Sequence, residues 1–321
     1  MRRSLFFLLD HHPELGVPPD ARLRAAIAQA GEADTLGFAG IWVAEHHFRQ
    51  LGLVPNPAVL LAAMAARTRT IRLGSAVAVV PMRPPLLTAE DYALVDAISG
   101  GRLDLGVGSG NEFELAGRGV AYEDRHQLLQ AGLDEILARF RASTVRNEGY
   151  ETLNVPVCQR PHPPVYVAAT DPRTAADVGR RGHHLLTLVT PLTAGHAAIA
   201  DLVTAYEQGL AEGDHDRATR DAVVVVFGLA APTDHEARQL AGPALARVLH
   251  AMAGVDVEPD AAFDHMRDHD LAAIGPPDHV EPFLGRLEAL GVRHVAFLHG
   301  FGGLEDDHAL HSIRLLAGPQ A

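Results

Sequence analysis

Apolar residues fall in short unbroken runs, separated by longer stretches of mixed apolar and polar character. The runs are Ser4–Leu9, Gly40–Ala44, Ile71–Val80, Leu103–Gly108, Val165–Ala169, His184–Val189, Val223–Ala230 and Val292–Leu298. Near-continuous apolar character suits parallel strands covered on both faces. Helical spacing places helices near 20–36, 56–67, 85–98, 123–140, 172–181, 193–212, 233–252, 277–290 and 305–317. About eight strands alternating with helices predict an α/β fold, a (β/α)8 TIM barrel, with a doubly wound open sheet as the competing topology.

Local signals agree with these boundaries. Asp171 followed by Pro172 reads as an N-cap with proline in the first helical position, and Thr233 can cap a later helix. Gly37, Gly182 and Gly291 stand where helices end before strands. Two stretches break the alternation: 141–163, with Asn147-Glu148-Gly149-Tyr150 and the proline-rich Pro156–Pro164, and the His- and Asp-rich 253–276. Both are expected to be irregular insertions or long loops within a single domain spanning 1–321.

Composition narrows the function classes. Lys and Arg total 27 against 40 Asp and Glu, a formal net charge of −13, and every basic residue is arginine. Without lysine there is no Schiff-base chemistry and no phosphate loop of the Gly-Lys-Ser/Thr type. The negative balance opposes nucleic-acid binding and anionic membrane surfaces. Cys158 is the single cysteine, which excludes an internal disulfide. The apolar run after Arg2-Arg3 is too short for a secretory signal, and Ala222–Ala231 is too short to span a bilayer, so a cytoplasmic location is expected.

Candidate chemistry gathers after predicted strands, which in a barrel is the catalytic face. Ala44-Glu45-His46-His47-Phe48 offers a histidine that can act as acid or base near neutral pH. Two other His-His pairs, among 19 histidines, supply the bland alternative of ordinary packed side chains. Gly106-Val107-Gly108-Ser109-Gly110-Asn111 lacks the last glycine of a dinucleotide fingerprint and reads as a loop that lets a ligand approach backbone. Thr170-Asp171-Pro172-Arg173-Thr174 opens a helix, a natural seat for phosphate or simply a well-capped helix. No zinc-type spacing occurs, and the Asp264-His265…Asp268-His269-Asp270 cluster reads as a solvated face, so no metal is expected. Asp96 and Arg102 suggest a buried ion pair that maintains the fold.

In order along the chain, these segments join Pro55-Asn56-Pro57, Ala66-Arg67-Thr68, Ile71-Arg72-Leu73-Gly74-Ser75, Pro81-Met82-Arg83-Pro84-Pro85, Ala89-Glu90-Asp91 and Ser99-Gly100-Gly101-Arg102. The combined series resembles the bacterial luciferase-like flavin-dependent monooxygenases, densely over 38–114 and again over 164–182 and 292–317. The resemblance implies a two-component enzyme that takes reduced FMN from a separate flavin reductase and reacts it with O2. The flavin peroxide then oxygenates a small organic substrate. His46 matches the family's catalytic histidine, with His47 in support. Ser75, Ala76 and Val77 match the strand end that touches the flavin ring, often through a non-proline cis peptide. Gly108, Ser109, Thr170, Asp171 and Thr174 match positions near the flavin and its phosphate. Ser109 stands where luciferase has arginine, and Thr170-Asp171 replace a Glu-Ser pair, which makes Arg173 the substitute cation. Phe7, Glu112 and Phe113 are the substrate-facing candidates. The resemblance also implies a homodimer. Its alternatives are a deazaflavin-coenzyme oxidoreductase of the same fold and a non-catalytic flavin-binding protein.

Overall fold

The computed structural model describes residues 1–48, 50–143, 153–189 and 195–318. Its strands are β1 (Arg2–Phe7), β2 (Gly40–Val43), β3 (Arg72–Ser75), β4 (Ala78–Val79), β5 (Leu103–Gly108), β6 (Val165–Ala168), β7 (His184–Leu188), β8 (Ala222–Ala230), β9 (Ala272–Gly275) and β10 (His294–Leu298). Neighbours pair in parallel in the order β10-β1-β2-β3-β5-β6-β7-β8, and β10 also pairs with β8, so the sheet closes on itself. This is the TIM barrel, and closure excludes the open sheet. Around it run α1 (Pro19–Thr35), α2 (Pro57–Ala65), α3 (Pro85–Ser99), α4 (Glu112–Arg118), α5 (Arg125–Ser143), α6 (Pro172–Arg180), α7 (His196–Glu212), α8 (Asp234–Ala253), α9 (Pro259–Asp268), α10 (Pro277–Ala289) and α11 (Asp306–Leu316).

The predicted punctuation is present. Asp171 Oδ1 accepts the Thr174 N–H at 2.9 Å, and Thr233 Oγ1 accepts the Glu236 N–H at 3.2 Å. Gly37, Gly182 and Gly291 have φ of 78°, 70° and 86°, the left-handed conformation that ends a helix at low cost for glycine.

Several expectations are corrected. The run 71–80 is two strands, β3 and β4, separated by a cis Ala76–Val77 peptide. The stretch 253–276 is not irregular: it carries α9 and β9, and β9 pairs with the upper half of β8. Its many His and Asp residues obscured an amphipathic helix that buries Ala262, Phe263 and Met266. Of 141–163, residues 144–152 lie outside the described residues, whereas 153–163 has neither helix nor strand. Asp96 and Arg102 do not pair. Asp96 accepts the Cys158 and Gln159 N–H groups at 2.6 and 3.2 Å, anchoring that segment to α3. Arg102 instead donates to the carbonyls of Ala65, Thr68, Ile71 and Ser99.

Side chains plug the N-terminal end of the barrel. Trp42 meets the Tyr166 ring edge-on at 4.8 Å. A Cβ on Gly74 would fall 2.2 Å from Trp42 Cε3, so only glycine lets the indole lie over β3. Beside it, Ser4 Oγ lies 2.6 Å from His294 Nε2, and His294 Nδ1 lies 2.8 Å from Asp221 Oδ2. Ser4 is fully buried, so this Ser-His-Asp chain reaches no reactant; it fastens β1 and β10 to the start of β8. Burial pushes the Asp221 carboxyl up, but the hydrogen bond from His294 and the charges of His294 and Arg2 outweigh it, and its pKa falls from 3.8 to about 2. A depressed carboxylate stabilises the fold above its unfolded pKa and loses that contribution as pH falls toward 2, a difference of about 2 kcal/mol. Asp221→Asn should therefore lower Tm at pH 7 by roughly 3 °C or more. Calorimetry at pH 7 and along an acid series checks this, the gap between variant and wild type closing between pH 4 and pH 2.

Candidate active site

The C-terminal strand ends enclose a cavity of about 460 Å³. Its throat is apolar. Phe6 and Leu8 come from β1 and the residue just past it, Gly108 from β5, Ala168 from β6, Leu186 and Leu188 from β7, Val225 and Phe227 from β8, and Leu298 from β10. Ala76 and Val77 form one wall between β3 and β4. The polar residues are Glu45, His46, Ser109, Asn111, Glu114, Tyr122, Arg125, His126, Thr170, Asp171, Thr174 and Thr187.

Two acid–histidine pairs interlock along one side of this cavity. His46 Nδ1 lies 2.9 Å from Glu114 Oε1, which also accepts the His47 N–H at 3.0 Å. His47 Nε2 lies 3.0 Å from Glu45 Oε1, while Glu45 Oε2 accepts the Val79 N–H at 3.1 Å. Both carboxylates are buried. Burial raises the Glu114 pKa, but hydrogen bonds from His46 and from the His47 N–H more than offset it, and Glu114 titrates below its ordinary value. The hydrogen bond to Glu45 does the reverse for His47, holding its pKa above the usual histidine value against desolvation. Glu114 reaches the cavity because Asn111 caps α4, accepting the Glu114 N–H at 3.0 Å.

At the cavity, the Arg125 guanidinium stacks 3.7 Å over the Tyr122 ring and donates to the Tyr122 carbonyl at 2.8 Å. Among the described residues that line the cavity it is the one permanent cation. The hydroxyls of Ser109 and Thr170 have no hydrogen-bond partner among the described residues. Asp171 takes both of Thr174's donors, the N–H at 2.9 Å and the hydroxyl at 2.7 Å.

A family model for luciferase-like monooxygenases matches residues 1–298. The chain belongs to that family. It is 31% identical over 179 residues, 53% of this chain and 49% of the relative, to the oxygenase component of a flavin-dependent trigonelline monooxygenase from Acinetobacter baylyi. It is 30% identical over 171 residues, 50% of this chain and 51% of the relative, to an F420-dependent glucose-6-phosphate dehydrogenase from Amycolatopsis mediterranei. The matched region thus spans about half the length of each of these relatives. In fold it resembles the oxygenating constituent of 3,6-diketocamphane monooxygenase from Pseudomonas putida, solved in complex with FMN. The TM-score is 0.79 at 21% identity, over 99% of this chain and 97% of that one.

The luciferase-like barrel brings most of the expected residues together. His46, Ala76, Val77, Gly108, Ser109, Thr170, Asp171 and Thr174 all line the cavity. Phe7 does not. Strand side chains alternate between faces, so Phe6 and Leu8 point inward and Phe7 packs outward, its ring 4.5 Å from that of His299. Ser75 is displaced by the same alternation. It is fully buried, and its hydroxyl bonds the Gly106 carbonyl and N–H at 2.8 and 3.1 Å, bridging β3 to β5. Arg173 lies in an adjoining groove with Asp177, Arg181 and His183. Glu112 and Phe113 lie on the exposed side of α4, whereas Glu114 of the same helix lines the cavity.

The residues that sequence reasoning missed are Glu45, Glu114, Arg125 and His126. Asn111 followed three residues later by Glu114 is a helix-start signal that could have revealed α4 and its buried acid. A Cβ at Gly108 would lie 2.5 Å from Val77 Cγ2 in the cavity wall. Gly108→Ala should displace that wall at a cost of about 1–3 kcal/mol, read as a lowered denaturant midpoint with an unchanged m-value.

Proposed function

We propose that this protein is the oxygenase of a two-component system that binds reduced FMN, supplied by a separate flavin reductase, and uses O2 to oxygenate a small organic molecule. The observation that carries the reading is the layout of the cavity. An apolar throat large enough for a flat ring system has His46 on one side and, on its rim, Arg125 with the unengaged hydroxyls of Ser109 and Thr170. That donor set fits a flavin phosphate, and the throat fits a tricyclic ring and an apolar substrate. Asp171 opposes an anion at the start of α6 and occupies the Thr174 donors, so the phosphate is assigned to Arg125, Ser109 and Thr170 rather than to Thr174 or Arg173.

When bound, reduced FMN supplies the two electrons that activate O2; one oxygen atom enters the substrate and the other leaves as water. The protein's part is positional and acid–base. Phe6, Leu8, Phe227 and Leu298 hold the substrate and keep water out of the throat. His46 is the group placed to hold and deliver a proton at its Nε2.

No helix among the described residues is long and apolar enough to cross a membrane. We place the enzyme in the cytoplasm, where a reductase would work beside it. We also assign a homodimer interface to α2 and α3, whose Val59, Leu87, Leu94 and Ile98 are exposed. Leu87, Leu94 and Ile98 recur at helical spacing, forming one apolar stripe of the kind that a second copy covers.

The test is an anaerobic titration. Reduced FMN should bind, and Arg125→Ala should weaken binding about tenfold, the loss of one charge-assisted contact of about 1.4 kcal/mol. Binding of a reduced deazaflavin coenzyme with no binding of reduced FMN would favour the hydride-transfer enzymes of this fold and refute the proposal. For the interface, Ile98→Arg should convert a dimer to a monomer in light scattering, while a wild-type monomer would dismiss it.

A further inference from the structure

We propose that Glu114 is a positioning residue that decides which nitrogen of His46 meets the reactants. The inference deepens the reading of His46 as the proton-handling group and rests on that reading only for its kinetic consequence. A carboxylate has no proton to donate, so the 2.9 Å contact between Glu114 Oε1 and His46 Nδ1 requires the proton to sit on Nδ1. In the neutral ring Nε2 then carries the lone pair, and it is the nitrogen that takes up and gives back the second proton. No described residue hydrogen-bonds Nε2, and the His46 side chain is 20% exposed on the cavity wall, so the bare nitrogen is open to a ligand. Without an acceptor at Nδ1, an imidazole is free to place its proton on either nitrogen and to rotate.

Three features make Glu114 suited to this task. Its side chain is 2% exposed, so water does not compete for the carboxylate. The same oxygen accepts the His47 N–H at 3.0 Å, which fixes the backbone carrying the imidazole as well as the ring. The neighbouring carboxylate cannot substitute, because Glu45 is engaged by His47 Nε2 and by the Val79 N–H. The low titration of Glu114 agrees with an ionised acceptor. Glu114 arrives from α4, which follows β5, and His46 from the loop after β2, so the pair forms only where β2, β3 and β5 lie side by side.

The first test needs neither cofactor nor substrate. In protein labelled with 15N-histidine, the ring signals of His46 are assigned by their loss in His46→Gln. The wild type should show the Nδ1–H tautomer, Glu114→Gln should keep it because an amide oxygen still accepts, and Glu114→Ala should lose it. An Nε2–H tautomer in the wild type, or an Nδ1–H tautomer that survives in Glu114→Ala, would overturn the proposal.

The second test is a cycle read in single turnovers of bound reduced FMN with O2. Glu114→Ala and His46→Ala should each change the rate by about tenfold or more. The double variant should match the His46→Ala single variant, because Glu114 acts through the imidazole. Multiplying effects would mean that Glu114 only supports the fold. Failure of reduced FMN to bind would count against the proposed function and leave the tautomer measurement to decide this inference.

Discussion

Strand β8 runs nine residues, longer than its neighbours, and one edge serves two partners in succession. That edge carries β7 along Ala222–Val225 and then β9 along Phe227–Ala230. The other edge pairs with β10 along Val223–Phe227. That closure leaves the barrel strands without a free edge and commits every residue of a strand to the lumen or to the helix layer. The lower lumen is filled by Trp42, Tyr166 and the Ser4–His294–Asp221 chain, so open space remains only at the upper end. A cavity at the C-terminal mouth therefore follows from ring closure together with a plugged base.

Charge is organised in the mouth by pairing. Buried carboxylates are costly unless hydrogen bonds and opposite charges compensate them. Glu45 and Glu114 meet that condition by sharing two adjacent histidines and two backbone N–H groups between them. The arrangement ties the loop after β2 to β4 on one side and to α4 on the other, so the chemical groups are held by the framework rather than by a free loop. Asp171 commits its carboxylate to its own helix, and Arg125 remains the permanent cation among the described residues that line the mouth.

A chain without lysine does all of its permanent cationic work with guanidinium groups, whose planar forks bind several acceptors at once. Arg102 gathers four carbonyls from the α2–β3 turn and the end of α3. Arg72 grips both oxygens of the buried Asp104. Arg125 stacks on Tyr122 and points its charge at the cavity. The missing ammonium thus limits how the mouth can hold an anion: by stacked guanidinium and hydroxyl, not by a mobile lysine.

The alternation of apolar runs with helical spacing determined the barrel, because parallel strands buried on both faces carry that signature locally. The motif after β2 marked residues that come to line the cavity, and the Asp171 cap and the helix-ending glycines were legible for the same local reason. Face assignment was not. A shift of one position along a strand exchanges lumen for helix layer, and near-continuous apolar runs hide the period of two, so Phe6 and Phe7, or Ser75 and Ala76, look equivalent until the ring has a register. Helix α9 and strand β9 were obscured by polar residues that solvate one face. The pairing of His46 with Glu114 could be decided only in three dimensions. The two residues lie 68 positions apart, and what joins them is the side-by-side order of β2, β3 and β5, which sets α4 beside the loop after β2, a long-range pairing that no local sequence pattern encodes.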